Sequence, residues 1–401
     1  MEAQRIKPLE ARASSATRSL TERVKAAAAV AAAHAADVDA AARFPAEAFG
    51  EIRKQRLLGM MVPETLGGEG ASLRELSDAC FLLGQACSSA GLIFAMHQIK
   101  MACVIRHSKG NATLERILTQ IAREQLLLAS STTEGHAGGN VRSSEAAVEA
   151  AGDEVTLERK ATVISYAVDA DGIVTTARRA ADAAASDQVL LVLLKKDYTL
   201  EKLQSWDTLG MRGTHSEGFT LRARAPAQQI VPEPYEKIHP QTMVPFAHIL
   251  WGSVWAGIAA VATTKAQAFM RQALRSSGGQ LPPGAPHFTQ AASTLRTLKG
   301  VLASSLRSYE AVMSDEKAIM SLDFQAMITL TKVQVSDLAV TTVLSALRAC
   351  GLSGFRNDSE FSIGRHLRDI LSAPLMINND RIMQNLAMTS VMTPLPASIN
   401  G

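Results

Sequence analysis

The chain changes character twice, and those two changes restrict its fold more than any single motif does. Residues 8–123 are rich in Ala and Leu, with Gly and Pro confined to clusters, so nearly all of this stretch reads as helix. From residue 126 short strand-like runs take over: 126–133, 146–151, 155–159, 189–195 and 219–223. Turn residues separate them, such as Gly152-Asp153 and Asp169-Ala-Asp-Gly172. After Pro234 helices return, at 246–275, after the proline-rich break 278–286, at 322–349 and at 369–392. A block of strands enclosed by two helical blocks predicts a mostly α protein with a small β domain. The expected divisions are an N-terminal helical domain at 1–125, a central β-sheet or barrel domain at 126–235, and a C-terminal four-helix bundle at 236–401.

Several function classes are excluded at this stage. Net charge is only +3, and Lys and Arg are interspersed with carboxylates, unlike the basic stripe of a nucleic-acid binder. The four cysteines, Cys80, Cys87, Cys103 and Cys350, form no CxxC pair, and no His, Cys or carboxylate set has metal-ligand spacing. Buried free thiols in a reducing compartment and no metal are expected. The alanine-rich run 26–36 contains His34 and leads into Asp37 and Asp39, which predicts a helix rather than a signal segment. No other stretch is expected to cross a membrane, and a soluble cytoplasmic protein is expected.

Local motifs sharpen the reading. Ser72 and Glu75 form a capping box that opens a helix with Leu76, Ala79, Cys80, Leu83 and Ala86 on one face. Residues 126–133 enter a glycine-rich loop, Glu134-Gly-His-Ala-Gly-Gly139. His97 interrupts an apolar helix in Ile93-Phe-Ala-Met-His-Gln98, so it either faces a pocket or is a hydrogen-bonded core histidine. Asn378, Asn379 and Asp380 form a polar knot in an apolar stretch and read as a helix N-cap cluster or as site residues.

Four strings, in order, resemble those of acyl-CoA dehydrogenases. Met61-Val-Pro-Glu-Thr-Leu-Gly-Gly-Glu-Gly70 looks like the family's proline-glutamate, double-glycine loop. Thr133-Glu134-Gly135 stands at its flavin loop, and Trp206-Asp-Thr-Leu-Gly-Met-Arg-Gly-Thr-His-Ser216 is similar to its Leu-Gly-Met-Arg-Gly segment. Gly351-Leu-Ser-Gly354 followed by Arg368-Asp369 resembles its C-terminal glycine turn and Arg–Asp pair. The resemblance implies FAD bound between a small sheet domain and a helical domain. It places Ser131, Thr132 and Thr133 at the flavin pyrimidine edge and Ser165 near flavin N5. Arg275 would hold the pyrophosphate, or else pair with its own helix dipole. Gly351 and Gly354 would let the backbone approach the adenine half of a neighbour's FAD, or serve only as turn glycines. His136 and His215 would lie near the flavin or on surface loops.

The resemblance breaks at the base. The family takes its catalytic glutamate shortly after the Arg–Asp pair, where this chain has Ile377, or from the long helix, where Ile249-Leu-Trp-Gly-Ser-Val-Trp255 holds no carboxylate. Asp380 and His97 are the candidate proton acceptors; Glu134 is set aside because ordinary members keep it. The implied reaction is α,β-dehydrogenation of an acyl thioester, on CoA or a carrier protein, with electrons passing to an electron-transfer flavoprotein or to oxygen. The alternative is the family's two-component flavin monooxygenase branch, which tends to place a histidine on the pocket helix, a serine near N5 and a histidine after the Arg–Asp pair. His97 and Ser165 match the first two, but residues 370–379 contain no histidine. A further alternative is a binding protein that keeps the fold without the reaction. A homodimer or homotetramer is expected. Trp251 and Trp255 share a helix face that lines the pocket or packs on a neighbour.

Overall fold

A computed structural model describes residues 18–134 and 141–392. Its N-terminal part is helical: α1 (Leu20–Ala40), α2 (Ala46–Lys54), α3 (Leu73–Ala86), α4 (Ser88–His107) and α5 (Ala112–Glu124). Ser72 caps α3 and Glu75 returns the bond to the Ser72 N–H, the reciprocal pair legible in the sequence. Gln125 ends α5 in the left-handed region, and the chain turns into the β part.

Two sheets make up that part. A three-stranded sheet has the order β1 (Leu128–Ser131), β4 (Gly172–Arg178), β5 (Gln188–Leu194), with β1 parallel to β4 and β5 antiparallel to it. A four-stranded antiparallel sheet has the order β2 (Glu149–Ala151), β3 (Glu154–Ile164), β7 (Glu217–Pro226), β6 (Tyr198–Gln204). β4 and β6 are strands beyond those expected. β4 is buried along almost its whole length, so it lacks the alternation of a half-exposed strand. β6 is mostly exposed and polar, as suits a sheet edge.

Helices return with α6 (Tyr235–Ile238), a π-helical turn at His239–Met243 and α7 (Val244–Ser276). They continue with α8 (Ala285–Val312), α9 (Glu316–Ile319), α10 (Leu322–Cys350), α11 (Leu352–Phe355), α12 (Gly364–Ile370) and α13 (Asn379–Met392). α7, α8 and α10 pack on one another, α13 joins α10, and α3 crosses α7. That crossing needs small residues: a Cβ on Gly84 would sit 2.5 Å from the Val254 carbonyl oxygen, and one on Gly257 2.4 Å from that of Phe81. The single helix expected at 369–392 is broken. α12 stops at Ile370, and Pro374 and a left-handed Ile377 turn the chain before α13.

Three helical segments, α4, residues 235–276 and α10, are long and apolar enough to cross a membrane, which corrects the expectation that no stretch qualifies. Their apolar windows are 89, 78 and 50 % buried by the rest of the protein. A helix apolar on all sides is the expected composition for the middle of a large core.

Candidate active site

A cavity of about 610 Å³ opens where the parts meet. Its walls come from β1 and the residues just after it, the end of β3, the 206–216 loop, α4, the α6–α7 corner and the segment between α12 and α13. Most of the surface is apolar, with Leu92, Met96, Ile99, Val244 and Trp251 among the contributors. The size and character suit an organic cofactor with a small substrate.

The strand ends supply the hydroxyls. β1 stops pairing with β4 at Ser131, and Thr132 and Thr133 continue onto the cavity wall. Successive strand residues face opposite sides, so Ser130 lines the cavity and Ser131 turns into the core. This corrects the expected position of the Ser131 side chain; its carbonyl accepts from Thr175 Oγ1 at 2.9 Å. Ser165 also lines the cavity and belongs to a hydroxyl chain. Thr214 Oγ1 donates to the Met211 carbonyl at 2.9 Å. It therefore accepts from Ser216 (2.8 Å), which in turn accepts from Ser165 (2.8 Å). Ser165 thus spends its proton inside the chain and offers lone pairs to the cavity.

The Arg–Asp pair closes one side. Arg368 Nη1 donates to Asp39 Oδ1 and to the Leu209 carbonyl, each at 2.9 Å. Asp369 Oδ1 accepts from the Met211 N–H at 2.7 Å. Burial raises the Asp369 carboxyl above its ordinary range, against the pull of that N–H. The contact requires Gly210, since a Cβ there would lie 2.1 Å from the Arg368 carbonyl oxygen. The pair therefore holds the 206–216 loop on the C-terminal segment.

Neither candidate base reaches the cavity. His97 is fully buried, with Nδ1 accepting from the Leu128 N–H at 3.0 Å and Nε2 donating to the Leu58 carbonyl at 2.9 Å. Both nitrogens are engaged, and burial lowers its pKa to about 4. It is a core histidine tying α4 to β1, which corrects its assignment as proton acceptor. Asp380 is exposed in the first turn of α13, its N–H donating to Asn378 Oδ1 at 2.8 Å, so the cluster acts as a helix cap and the base assignment is corrected here too. Ile377 does line the cavity, at φ 49°, a conformation rare for a β-branched residue. Its carbonyl accepts from the buried Lys332 Nζ at 3.0 Å.

Arg275, Gly351 and Gly354 lie off the cavity of this chain. Arg275 is exposed in the last turn of α7, and Gly351 caps α10 at φ 55°. The end of α7, the start of α8 and the end of α10 share one end of the bundle, where Gly284 packs on the Ala349 carbonyl. His215 turns away, with Nε2 donating to the Ala42 carbonyl at 2.7 Å, and the Asp169 carboxylate raises its pKa. His136 lies outside the described residues. Trp251 lines the cavity, and Trp255 is buried in the bundle.

Sequence reasoning passed over Lys100, Tyr235, His239 and His248, all on the cavity wall. Lys100 and His248 each interrupt an apolar helical run, the same signal that drew attention to His97. His248 Nδ1 donates to the Ile328 carbonyl at 2.9 Å, which leaves Nε2 as the accepting nitrogen. Burial lowers the pKa of His248 to about 4 and that of His239 to about 3, so both are neutral at pH 7.

A helical and a sheet part close on an apolar chamber with hydroxyls at its strand ends, and proteins of similar sequence and fold are flavoprotein oxidoreductases. The chain is similar to acyl-CoA dehydrogenases in sequence and in fold. Residues 14–125 match the family's N-terminal domain. The chain is 23 % identical over 338 residues to the probable acyl-CoA dehydrogenase YngJ of Bacillus subtilis, covering 84 % of this chain and 87 % of that one. In fold it is similar to FMN-bound TdsC, a dibenzothiophene monooxygenase from Paenibacillus sp. A11-2 (TM-score 0.82, 17 % identity, 94 % and 98 % covered). It is also similar to butyryl-CoA dehydrogenase from Megasphaera elsdenii (TM-score 0.75, 17 % identity, 93 % and 98 % covered).

Proposed function

We propose that the protein is a flavin-dependent monooxygenase built on the acyl-CoA dehydrogenase fold, oxidising a mainly apolar substrate with dioxygen and flavin reduced by a separate reductase. The observation that carries this reading is the cavity wall: among its described residues there is no Asp or Glu. Dehydrogenation of a thioester needs a base to take the α-proton as hydride leaves the β-carbon. Where the family keeps a carboxylate this chain has Ile377, and Asp380 and His97 lie off the cavity. Oxygen transfer makes no such demand; it needs a water-poor apolar chamber, which these walls provide.

The residues present fit a flavin. Thr132 and Thr133 offer polar groups at a strand end, and the apolar walls suit a flat ring system. Bound flavin, when reduced, supplies two electrons to dioxygen, so that one oxygen atom enters the substrate and the other leaves as water. Were N5 of a bound flavin to meet Ser165, the hydroxyl chain would favour the reduced form. Ser165 offers lone pairs, and N5 of flavin carries an N–H only after reduction. We take the cofactor to be FAD, because Arg275 and Gly351 are exposed at the C-terminal ends of α7 and α10, where they could meet the dinucleotide of a second copy, while Gly354 is buried beside Cys350. That reading implies a homodimer or homotetramer. Four buried free cysteines suit a reducing, cytoplasmic setting.

His248 favours a second reading, dehydrogenation of an acyl-CoA or acyl-carrier thioester with electrons passed to an electron-transfer flavoprotein, the chemistry in the name of the curated relative. Its bare Nε2 would take the α-proton. One experiment separates the two. The flavin-loaded protein is mixed with butyryl-CoA and octanoyl-CoA without oxygen, and affinities for oxidised and reduced flavin are measured in parallel. Tighter binding of reduced flavin with no bleaching supports the monooxygenase; bleaching by either thioester, lost in His248→Ala, establishes the dehydrogenase.

A further inference from the structure

Lys100 is a buried cation with no counter-charge among the described residues. It projects from α4 into the cavity and is 3 % exposed. Its Nζ donates to Met243 Sδ at 3.0 Å, and a thioether is a weak acceptor. Among the described residues no neighbour supplies a negative charge. The Cys103 thiol, one turn along α4, is pushed up to about 12 by burial. His239 is neutral, and burial also pushes the Tyr235 phenol up, so it stays protonated. Arg159 is a cation, paired with Glu134 at 3.3 Å. Burying an ammonium without a counter-charge is costly.

Tyr235 shares the problem. Its hydroxyl is buried on the same cavity wall with no hydrogen-bond partner among the described residues. Lys100 meets Met243 and the Tyr235 ring packs on His239 at 5.5 Å, the two ends of one π-helical turn, so both residues line the cavity beside that turn. The remaining charged side chains on the wall, Arg368 and Arg381, are also basic. The corner therefore has two donors and a positive charge, while the rest of the chamber is largely apolar.

We propose that Lys100 and Tyr235 bind the carboxylate of an otherwise apolar substrate, orienting it in the cavity. The Lys100 ammonium donates to one carboxylate oxygen and the Tyr235 hydroxyl to the other. This rests on the reading above that the cavity is the substrate site, but not on which oxidation takes place there. Lys100 is a specificity residue. Burial lowers its pKa to about 8, with Arg159 adding repulsion. The carboxylate is held below pH 8 and released above it, as the amine loses its proton.

The test uses the flavin-loaded protein, oxidised and without reductant, with benzoate against benzyl alcohol and octanoate against octanol as probes. Fluorescence of Trp206 and Trp251, both on the cavity wall, reports binding. At pH 7 each acid is expected to bind at least about tenfold more tightly than its alcohol. Lys100→Met should abolish that preference and keep alcohol binding, and Tyr235→Phe should weaken the preference. Raising the pH to 9.5 should bring the wild type to the Lys100→Met pattern. Equal affinity for acid and alcohol in the wild type, a preference surviving in Lys100→Met, or a preference unchanged from pH 7 to 9.5 overturns the proposal. If Lys100→Met does not fold, the pH series on the wild type decides alone. Since no turnover is involved, failure of the oxygen chemistry leaves this result standing. A cavity binding neither acid nor alcohol overturns both this proposal and the reading of the site.

Discussion

His97 and Lys100 lie one turn apart on α4, both buried in an apolar run, yet they differ completely in what surrounds them. His97 has a carbonyl for one nitrogen and an N–H for the other, which leaves it nothing to offer a ligand. Lys100 has a sulfur. The difference makes one residue structural and the other a recognition group. His97→Ala should therefore destabilise the protein by about 2–4 kcal/mol, because the Leu128 N–H loses its acceptor inside the core and a cavity is left behind. Urea unfolding measures that loss, and flavin titration of the variant should give an affinity unchanged within a factor of about two. A large loss of flavin affinity with intact stability would return His97 to the site. Ile377 makes a similar point: it occupies the base position, and Lys332 holds its carbonyl while the side chain adds only apolar wall.

The elements meet at the cavity because short connections hold them there. α3 and α7 approach closely through Gly84 and Gly257, which places α4 and α7 as facing walls. The 206–216 loop, with Met211 and His215 in the left-handed region, is held to α12 by Asp369. Asp369→Ala strands the Met211 N–H in a buried position, at a cost of about 1–3 kcal/mol. The same change releases the loop carrying Thr214 and Ser216, so flavin affinity is expected to fall at least about tenfold, a difference that equilibrium titration resolves. Unchanged affinity would show that the loop is held by other contacts.

For the molecule as a whole, burial of histidine controls behaviour in acid. His97 and His248 have pKa values lowered to about 4, and His239 and His366 to about 3, from 6.5. Each folded value lies below the unfolded one, so between pH 6.5 and 4 the unfolded chain takes up protons that the folded chain refuses. Stability is full above pH 6.5 and falls as the pH drops. His97 alone contributes a loss of about 3 kcal/mol by pH 4. Urea midpoints measured from pH 7.5 to 4.5 should decline steeply below 6.5; a flat profile would mean that these imidazoles are solvated. Burial likewise explains why α4 and residues 235–276 have the composition of membrane spans, since most of each apolar window is covered by the rest of the protein.

Local chemistry determined the order of helices and strands, the Ser72–Glu75 cap and the strings that identify the family, because a period, a cap or a turn is written within a few neighbouring residues. It also revealed that the usual base is missing at Ile377. The edge strand β6 and the buried strand β4 were not legible, since neither carries the half-apolar alternation by which strands are recognised. Asp380 and His97 were plausible bases until their surroundings were known. Ser131 and Ser130 differ only in the face of a strand. Whether a polar side chain is satisfied depends on atoms brought to it from distant parts of the chain. Leu58 and Leu128 close around His97, whereas among the described residues Lys100 meets only Met243. That contrast belongs to the packing of α4 against β1 and the α6–α7 corner, and no stretch of sequence contains it.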